Sequence, residues 1–185
     1  MNFAILASGE GTTAEHLLNQ NLNNVYWCGV ITDNAQSGVQ NRCKCTVIEK
    51  AEKQSKKLHE DRIITCLRDW QADIIILAGY MRILSSHILN QYPAINIHPS
   101  LLPKHKGKHA IRDSISSGDK KSGCTIHWVD KGIDTGTIIA QHEVPMELND
   151  TEFTLRQRIH EQELILYPKV IEKIANTELS VDNNC

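Results

Sequence analysis

The sequence has no excess of charge of either sign and no long apolar run. Its 185 residues carry 20 basic and 22 acidic side chains, which argues against broad binding to nucleic acid or to a membrane surface. No apolar run approaches the roughly 20 residues that a helix needs to cross a bilayer. The amino terminus lacks a basic segment ahead of its first apolar run. We therefore expect no signal peptide, no membrane association and a cytoplasmic location.

Paired-cysteine motifs, internal repeats and mid-chain linkers are also missing. The six cysteines form no CxxC pair, and the one close couple, Cys43 and Cys45, has no zinc-type partners nearby. We expect reduced thiols, no metal site, and one domain over residues 1–176 followed by a polar tail at 177–185. The lysine- and histidine-rich stretch 104–109 fits no standard metal spacing and is interpreted as a solvated basic loop.

What the sequence does have is a regular alternation of strand-like and helix-like segments. This alternation predicts an α/β fold with a Rossmann-like, mostly parallel sheet flanked by helices. Two later runs, 123–130 and 137–145, predict an antiparallel hairpin, and a final helix is expected from Thr151 to Ile174. The earlier strands are expected at 3–8, 25–32, 45–50, 73–79 and 94–98, and the earlier helices near 12–20, 51–70 and 82–92.

The first predicted turn, Gly9-Glu10-Gly11-Thr12-Thr13-Ala14, has the G-x-G-x-x-G/A form of a dinucleotide-binding loop. Its two glycines permit a tight passage from strand to helix. Asp33 ends the next strand, where such folds place the acid that binds a ribose. A nicotinamide-binding domain is therefore one interpretation. The turn alone is a weak indication, because a helix N-terminus of this kind also suits a single phosphate.

A second segment carries residues suited to catalysis. Asn96 and His98 are two positions apart on a predicted strand, so both side chains point to one face near the strand's carboxyl end. Burying them without partners would cost about 1–3 kcal/mol each. They are either a polar pair satisfied by loop backbone or a catalytic pair. Asp134, in a glycine-flanked loop, is either a turn residue or the carboxylate that orients His98. Together the three suit acyl transfer to an amine.

Three segments of the chain, "ILAGYMRIL", "INIHPSLLPKHKG" and "GCTIHWVDKGIDTGTIIAQ", closely resemble the folate-dependent formyltransferases. The resemblance runs over residues 3–171 and is most specific over 74–141. It implies the formyltransferase fold and 10-formyltetrahydrofolate as co-substrate. It also implies transfer of the formyl group to the amine of glycinamide ribonucleotide in purine biosynthesis. Members of the family occur as monomers and as homodimers.

The resemblance also implies a role for individual residues. It assigns catalysis to Asn96, His98 and Asp134, and a supporting role to His127. Folate contacts are implied for Arg82, Ile83, Leu84, Asn96, Lys131 and Asp134. Substrate contacts are implied for Gly11, Thr12, Thr13, Pro99, His160 and Glu163. In this interpretation Asp33 is only a turn residue at a strand end. The remaining histidines that we expect at the surface or half-buried, with no catalytic task, are His16, His59, His87 and His142.

Other interpretations stay open. The family's phosphate loop usually reads Gly-x-Gly-Ser-Asn, and the departure at Thr12 and Thr13 leaves room for another amine acceptor, such as an amino-sugar nucleotide. A formyltetrahydrofolate hydrolase would use the same Asn, His and Asp set. Sugar-modifying relatives usually add a C-terminal domain and the hydrolases an N-terminal one, and we expect neither here. The segment around Asn96 resembles nothing that hydride transfer uses, which disfavours the nicotinamide-binding domain.

Overall fold

A seven-stranded sheet with helices on both faces forms the centre of the structure, a computed structural model that describes residues 1–176. The expected tail at 177–185 lies outside the described residues. The strands are β1 (Asn2–Leu6), β2 (Tyr26–Thr32), β3 (Cys45–Val47), β4 (Ile74–Leu77), β5 (Ala94–His98), β6 (Lys121–Trp128) and β7 (Ile138–Pro145). The helices are α1 (Thr12–Leu18), α2 (Lys56–Asp69), α3 (Ser86–Leu89), α4 (Ala110–Ser117) and α5 (Glu152–Ala175), and a 3-10 turn spans Gly38–Asn41.

The strand order β3-β2-β1-β4-β5-β6-β7 divides the sheet into a parallel and an antiparallel part. Strands β1 to β5 are parallel, whereas β6 runs antiparallel to both of its neighbours. The chain leaves β1 toward β2 on one side and later continues at β4 on the other side. Sheets of this kind bind ligands beyond the carboxyl ends of the strands at such a reversal. The predicted parallel sheet, flanking helices and antiparallel hairpin are confirmed.

Two apolar cores lie on opposite faces of the sheet, because successive residues of a strand point to opposite sides. On β1, Phe3 and Ile5 enter a core shared with α1, α4 and α5. Ala4 and Leu6 enter a second core shared with α2 and α3. These four side chains are fully buried, as a central parallel strand requires.

At β5, the side chains on the second face of the sheet change from apolar to polar. Ala94 still belongs to the second core, and Ile95 and Ile97 to the first. Asn96 and His98 therefore turn to the same face as Ala94, where polar side chains replace apolar ones. This part of the sheet carries the candidate site.

Two predicted helices are shorter than expected. Helix α2 begins at Lys56 and not near residue 51, because the Ser55 hydroxyl accepts the Leu58 N–H and caps the helix there. Helix α3 covers only Ser86–Leu89, because the preceding residues of the 82–92 segment form an irregular connection. The connection is held by polar contacts described below. The sequence interpretation also missed α4, which follows the basic stretch 104–109 directly.

Helix α2 carries two buried polar side chains that fasten neighbouring segments. His59 is 2% exposed and its Nε2 lies 2.8 Å from the carbonyl oxygen of Ile48, so the expectation of a surface or half-buried His59 is wrong. Glu60 is equally buried and accepts hydrogen bonds from the Ser85 N–H and hydroxyl. These contacts tie α2 to the ends of β3 and of the connection that follows β4.

Helix α5 closes the first core and continues without interruption through Pro168. Tyr167 on this helix is fully buried, with its hydroxyl 3.0 Å from the carbonyl oxygen of Leu77 and 3.1 Å from that of Ile95. The hydroxyl thus links α5 to the end of β4 and the start of β5. Among the helices of residues 1–176, none combines the length and apolar content needed to span a bilayer.

Replacing Tyr167 with Phe tests this link. We expect Tyr167→Phe to lower the free energy of unfolding by about 0.5–1.5 kcal/mol, because the variant keeps the ring but loses the buried hydrogen bond. Urea denaturation followed by circular dichroism measures the change. Tyr26→Phe is the matched control, since Tyr26 is 63% exposed. Equal losses of unfolding free energy in the two variants would contradict a stabilising role for the Tyr167 hydroxyl.

Candidate active site

Four polar side chains meet on the face of β5 and β6. The nearest atoms of His98 and Asp134, Nδ1 and Oδ2, are 3.3 Å apart. Asn96 Nδ2 lies 3.3 Å from His127 Nε2, which is itself 3.6 Å from Asp134 Oδ1. Both histidines are buried, at 5% and 2% exposure, so water competes little for these contacts. The structure therefore brings together the amide, imidazole and carboxylate that the sequence singled out, with His127, the expected supporting residue, beside them.

Asp134 reaches this cluster by an indirect route. Strand β6 is antiparallel to β5, so its end at Trp128 lies beside Ile95, near the amino end of β5. The loop after β6 must therefore fold back along the sheet for Asp134 to meet His98. Asp134 has a φ of 51°, which is uncommon for a residue other than glycine, and its Oδ2 accepts the Gly107 N–H at 2.7 Å.

Both ring nitrogens of His98 face hydrogen-bond acceptors. Nε2 lies 2.9 Å from the carbonyl oxygen of His105, and a carbonyl can only accept, so Nε2 carries a hydrogen. Nδ1 faces the carboxylate of Asp134. Nδ1 is therefore placed to exchange a hydrogen with that carboxylate.

Both ring nitrogens of His127 contact neighbouring polar groups. Its Nδ1 lies 2.8 Å from the carbonyl oxygen of Trp128 and donates to it. Its Nε2 lies between two side chains, 3.3 Å from Asn96 Nδ2 and 3.6 Å from Asp134 Oδ1. His127 therefore contacts both Asn96 and Asp134 and restricts their orientation.

The turn after β1 forms a second group of candidate residues. Gly11 has a φ of 79°, and a Cβ there would lie 2.5 Å from Val39 Cγ2, so glycine is required. Gly9 differs, because its surroundings are open and its φ lies outside the left-handed region. Only the second of the two glycines is therefore needed for the passage from strand to helix.

Thr12 connects this turn to α5. Its Oγ1 lies 3.2 Å from His160 Nε2, and His160 Nδ1 lies 3.1 Å from Glu163 Oε2. Three of the expected substrate contacts are thus joined by hydrogen bonds. Thr13 follows in the first turn of α1 and is half-buried.

The connection after β4 is fixed by a buried aspartate. Asp33 is 8% exposed, accepts the Ser8 hydroxyl and pairs with the Arg82 guanidinium. The Ser8 hydroxyl in turn accepts the Met81 N–H at 3.0 Å. Asp33 is therefore more than a turn residue, and both of its oxygens are engaged within the protein, which disfavours the ribose role of a dinucleotide fold. Residues 80–84 line a cavity of about 330 Å³ with groups of α2.

The other expected folate contacts differ in their exposure. Ile83 is 51% exposed, whereas the Leu84 side chain is 3% exposed and belongs to the second core. Lys131 is exposed in the loop after β6, and Pro99 is half-buried directly after β5. Within residues 1–176, no three ligating side chains converge as a metal ion would require.

Two contributions to the site were missed because they come from backbone groups. The carbonyl of His105 and the N–H of Gly107 contact His98 and Asp134, although both belong to the stretch 104–109 that was interpreted as a solvated loop. The lysines of that stretch are exposed, but the His105 side chain is only 17% exposed. No residue type specifies such backbone contacts, so the sequence offered no signal for them beyond the glycine at position 107.

Comparison with known proteins assigns the family. The family described as formyl transferase matches residues 1–171. The chain belongs to the formyl transferase family. The phosphoribosylglycinamide formyltransferase of Bacillus subtilis (strain 168) is 37% identical over 183 residues, which cover 93% of each chain. A formyl transferase of this kind takes its formyl group from a folate-derived donor.

Further relatives differ in length. The trifunctional purine biosynthetic protein adenosine-3 of Chironomus tentans is 41% identical over 142 residues. That match covers 76% of this formyl transferase but only 10% of the insect protein, so the chain spans a small part of such relatives. Among solved structures, phosphoribosylglycinamide formyltransferase from Bacillus halodurans superposes with a TM-score of 0.90 at 35% identity, and each chain is covered completely.

The groups around Asp134 predict that the pKa of its carboxyl group is lowered. Burial opposes ionisation, but the His127 side chain, the Gly107 N–H and the charge of His98 outweigh it and lower the pKa of Asp134. In a ¹³C NMR titration we expect a midpoint below the ordinary aspartate value of about 3.9. A carboxylate with a lowered pKa stabilises the fold above its unfolded-state pKa, and that stabilisation is lost as the pH falls through the folded-state pKa.

Two variants test whether His127 contributes to the lowered pKa of Asp134. His127→Gln removes one of the stabilising contacts and is expected to raise the midpoint of Asp134. His142→Gln changes an exposed histidine of β7 and is expected to leave it unchanged. A wild-type midpoint at or above the ordinary value would contradict the assignment.

Proposed function

We propose that this chain transfers the formyl group of 10-formyltetrahydrofolate to the amine of glycinamide ribonucleotide, as a step of purine biosynthesis. The observation that carries the proposal is the contact of His98 with Asp134 beside the oriented amide of Asn96. Full-length relatives named phosphoribosylglycinamide formyltransferase support it. The site offers no hydroxyl or thiol nucleophile among these three residues, which fits direct attack by the amine.

Asn96 and His98 act on the charge that develops during the attack. When the uncharged amine attacks the formyl carbon, negative charge builds on the formyl oxygen. The Asn96 amide donates a hydrogen bond to that oxygen, and the imidazolium of His98 stabilises it electrostatically. One donor of this kind contributes roughly 2.7–4 kcal/mol to lowering the barrier. The contact with His127 holds the Asn96 amide in one orientation, so the amide needs little movement when charge develops on the formyl oxygen.

His98 and Asp134 also take part in transferring the proton that the acceptor amine loses. A carbon–nitrogen bond forms to the acceptor amine, and the bond between the formyl carbon and N10 of the folate breaks. Asp134, ionised because its pKa is lowered, accepts the amine proton directly or through water. His98 can exchange a proton with that carboxylate through Nδ1, which faces Asp134, whereas Nε2 is bound to the His105 carbonyl. N10 leaves with the proton that the amine gave up, which Asp134 passes on directly or through water, so the proton count balances.

The folate is proposed to lie between the connection after β4 and the loop after β6. Arg82, Ile83 and Leu84 contribute from the first, mainly through backbone groups, and Lys131 and Asp134 from the second. Apolar side chains remain uncovered on both segments. Ile83 is 51% exposed and Ile133 is 53% exposed, which suits contact with a flat aromatic ring.

The acceptor is proposed to bind through the turn after β1. Gly11, Thr12 and Thr13 hold its phosphate, with Glu163 on the ribose and His160 and Pro99 as further contacts. The hydrogen bond between Thr12 and His160 supports this assignment, because it gathers a hydroxyl and an imidazole beside the turn. Both groups can donate to phosphate oxygens.

A direct assay tests the reaction. The purified chain is incubated with 10-formyltetrahydrofolate together with glycinamide ribonucleotide, with no acceptor, or with a panel of amino-sugar nucleotides. We expect tetrahydrofolate to be released at a measurable rate only with glycinamide ribonucleotide. Release without an acceptor would favour a hydrolase, and release only with an amino sugar would assign a different acceptor. Either result would overturn the proposal.

Truncating Asn96 tests the mechanism. We expect Asn96→Ala to lower kcat by about 10²–10³-fold, because one oxyanion donor is lost. The thermal unfolding midpoint should change far less than kcat. Asn149→Ala, at an exposed asparagine before α5, is the control and should keep wild-type kinetics. Near-native turnover by Asn96→Ala would remove Asn96 from catalysis.

A further inference from the structure

The hydrogen bond that fixes His98 depends on a backbone carbonyl in the basic stretch. The carbonyl oxygen of His105 lies 2.9 Å from His98 Nε2 and 3.2 Å from the Ser100 hydroxyl. His98 is 5% exposed and Ser100 is fully buried. This carbonyl is therefore an acceptor inside the site, although His105 itself belongs to a loop.

The backbone at this point has an unusual conformation. His105 has a φ of 52°, in the left-handed region that residues other than glycine seldom adopt. Such a conformation persists when the surroundings hold it in place. Two residues later, Gly107 donates its N–H to Asp134. The segment 105–107 thus contacts both members of the His98–Asp134 pair.

One carboxylate holds this segment from outside the site. Asp119 Oδ2 lies 3.0 Å from His105 Nε2, and Asp119 Oδ1 lies 3.0 Å from Lys104 Nζ. Asp119 follows directly after α4, and its N–H donates to the Ser117 hydroxyl. The His105 side chain, and second Lys104, lower the pKa of Asp119 to about 2, so the carboxylate stays charged at any pH at which the enzyme would work.

We propose that Asp119 is a positioning residue for His98, which acts through His105 without touching the substrates. By binding the side chains of two successive loop residues, it fixes the His105 carbonyl that accepts from His98 and, with it, the Gly107 N–H that donates to Asp134. The catalytic part of this inference rests on the proposed function, whereas the structural part concerns the chain alone. Its effect is expected on the chemical step, since His98 and Asp134 are the groups that the segment contacts.

The kinetic test is Asp119→Ala in the full chain. We expect kcat to fall about tenfold, because a small displacement of a catalytic group is costly, while KM for glycinamide ribonucleotide stays within about twofold. Asp119→Glu keeps a carboxylate and should restore part of the lost kcat. Asp113→Asn, a half-exposed carboxylate on α4 beside Arg112, is the matched control and should behave as wild type.

A second readout does not depend on activity. In the ligand-free chain labelled with ¹⁵N histidine, the Nε2–H signal of His98 should be protected from exchange with water. We expect Asp119→Ala to speed that exchange at least tenfold, and His105→Asn, which removes the contact between His105 and Asp119, to speed it as well. The double variant should be no worse than Asp119→Ala alone, because Asp119→Ala already removes the contact between Asp119 and His105.

The outcomes separate the two proposals. An Asp119→Ala variant with wild-type kcat, or one with an unchanged His98 signal, would overturn the positioning role. A fall in kcat matched by an equal fall for Asp113→Asn would overturn it as well. A wild-type chain that transfers no formyl group would refute the proposed function, while the exchange measurement would still test the link from Asp119 to His98.

Discussion

The contact between His98 and Asp134 is the constraint around which the rest of the site is arranged. The two residues come from strands that run in opposite directions, so the loop that carries Asp134 has to fold back along the sheet. That path buries a carboxylate, which is unfavourable unless hydrogen bonds and opposite charge compensate. The His127 side chain, the Gly107 N–H and His98 provide this compensation, and together they lower the pKa of Asp134.

The face of the sheet on which this contact lies follows from simple strand alternation. The side chains of β5 divide between the two faces, and those at 94, 96 and 98 share one of them. Toward β4 that face is apolar and covered by α2 and α3. Toward β6 it is polar and covered by loops. A polar pair at Asn96 and His98 is thus compatible with a well-packed strand, because Ile95 and Ile97 remain in the opposite core.

Much of this arrangement was predictable from the sequence, because its causes are local. The alternation of apolar strands with helical patterns predicted the parallel sheet, and the two-residue spacing of Asn96 and His98 predicted their common face. The folding back of Asp134, the backbone contacts of His105 and Gly107, and the buried position of His59 were not predictable. Each depends on where distant segments meet, and no residue type or spacing encodes that. The shortened helix α3 has the same origin, since the Asp33 and Glu60 contacts that hold the preceding connection come from other parts of the chain.

The packing of Val39 against Gly11 has a consequence for how this enzyme family can diversify. The shape of the turn is set by a glycine with no room for a side chain and by a valine from a separate 3-10 turn. Neither depends on the side chains at positions 12 and 13. Those two positions can therefore change during evolution while the backbone N–H groups of the turn keep their directions. In the proposed function, the side chains at positions 12 and 13 can therefore alter acceptor preference without altering the backbone of the turn.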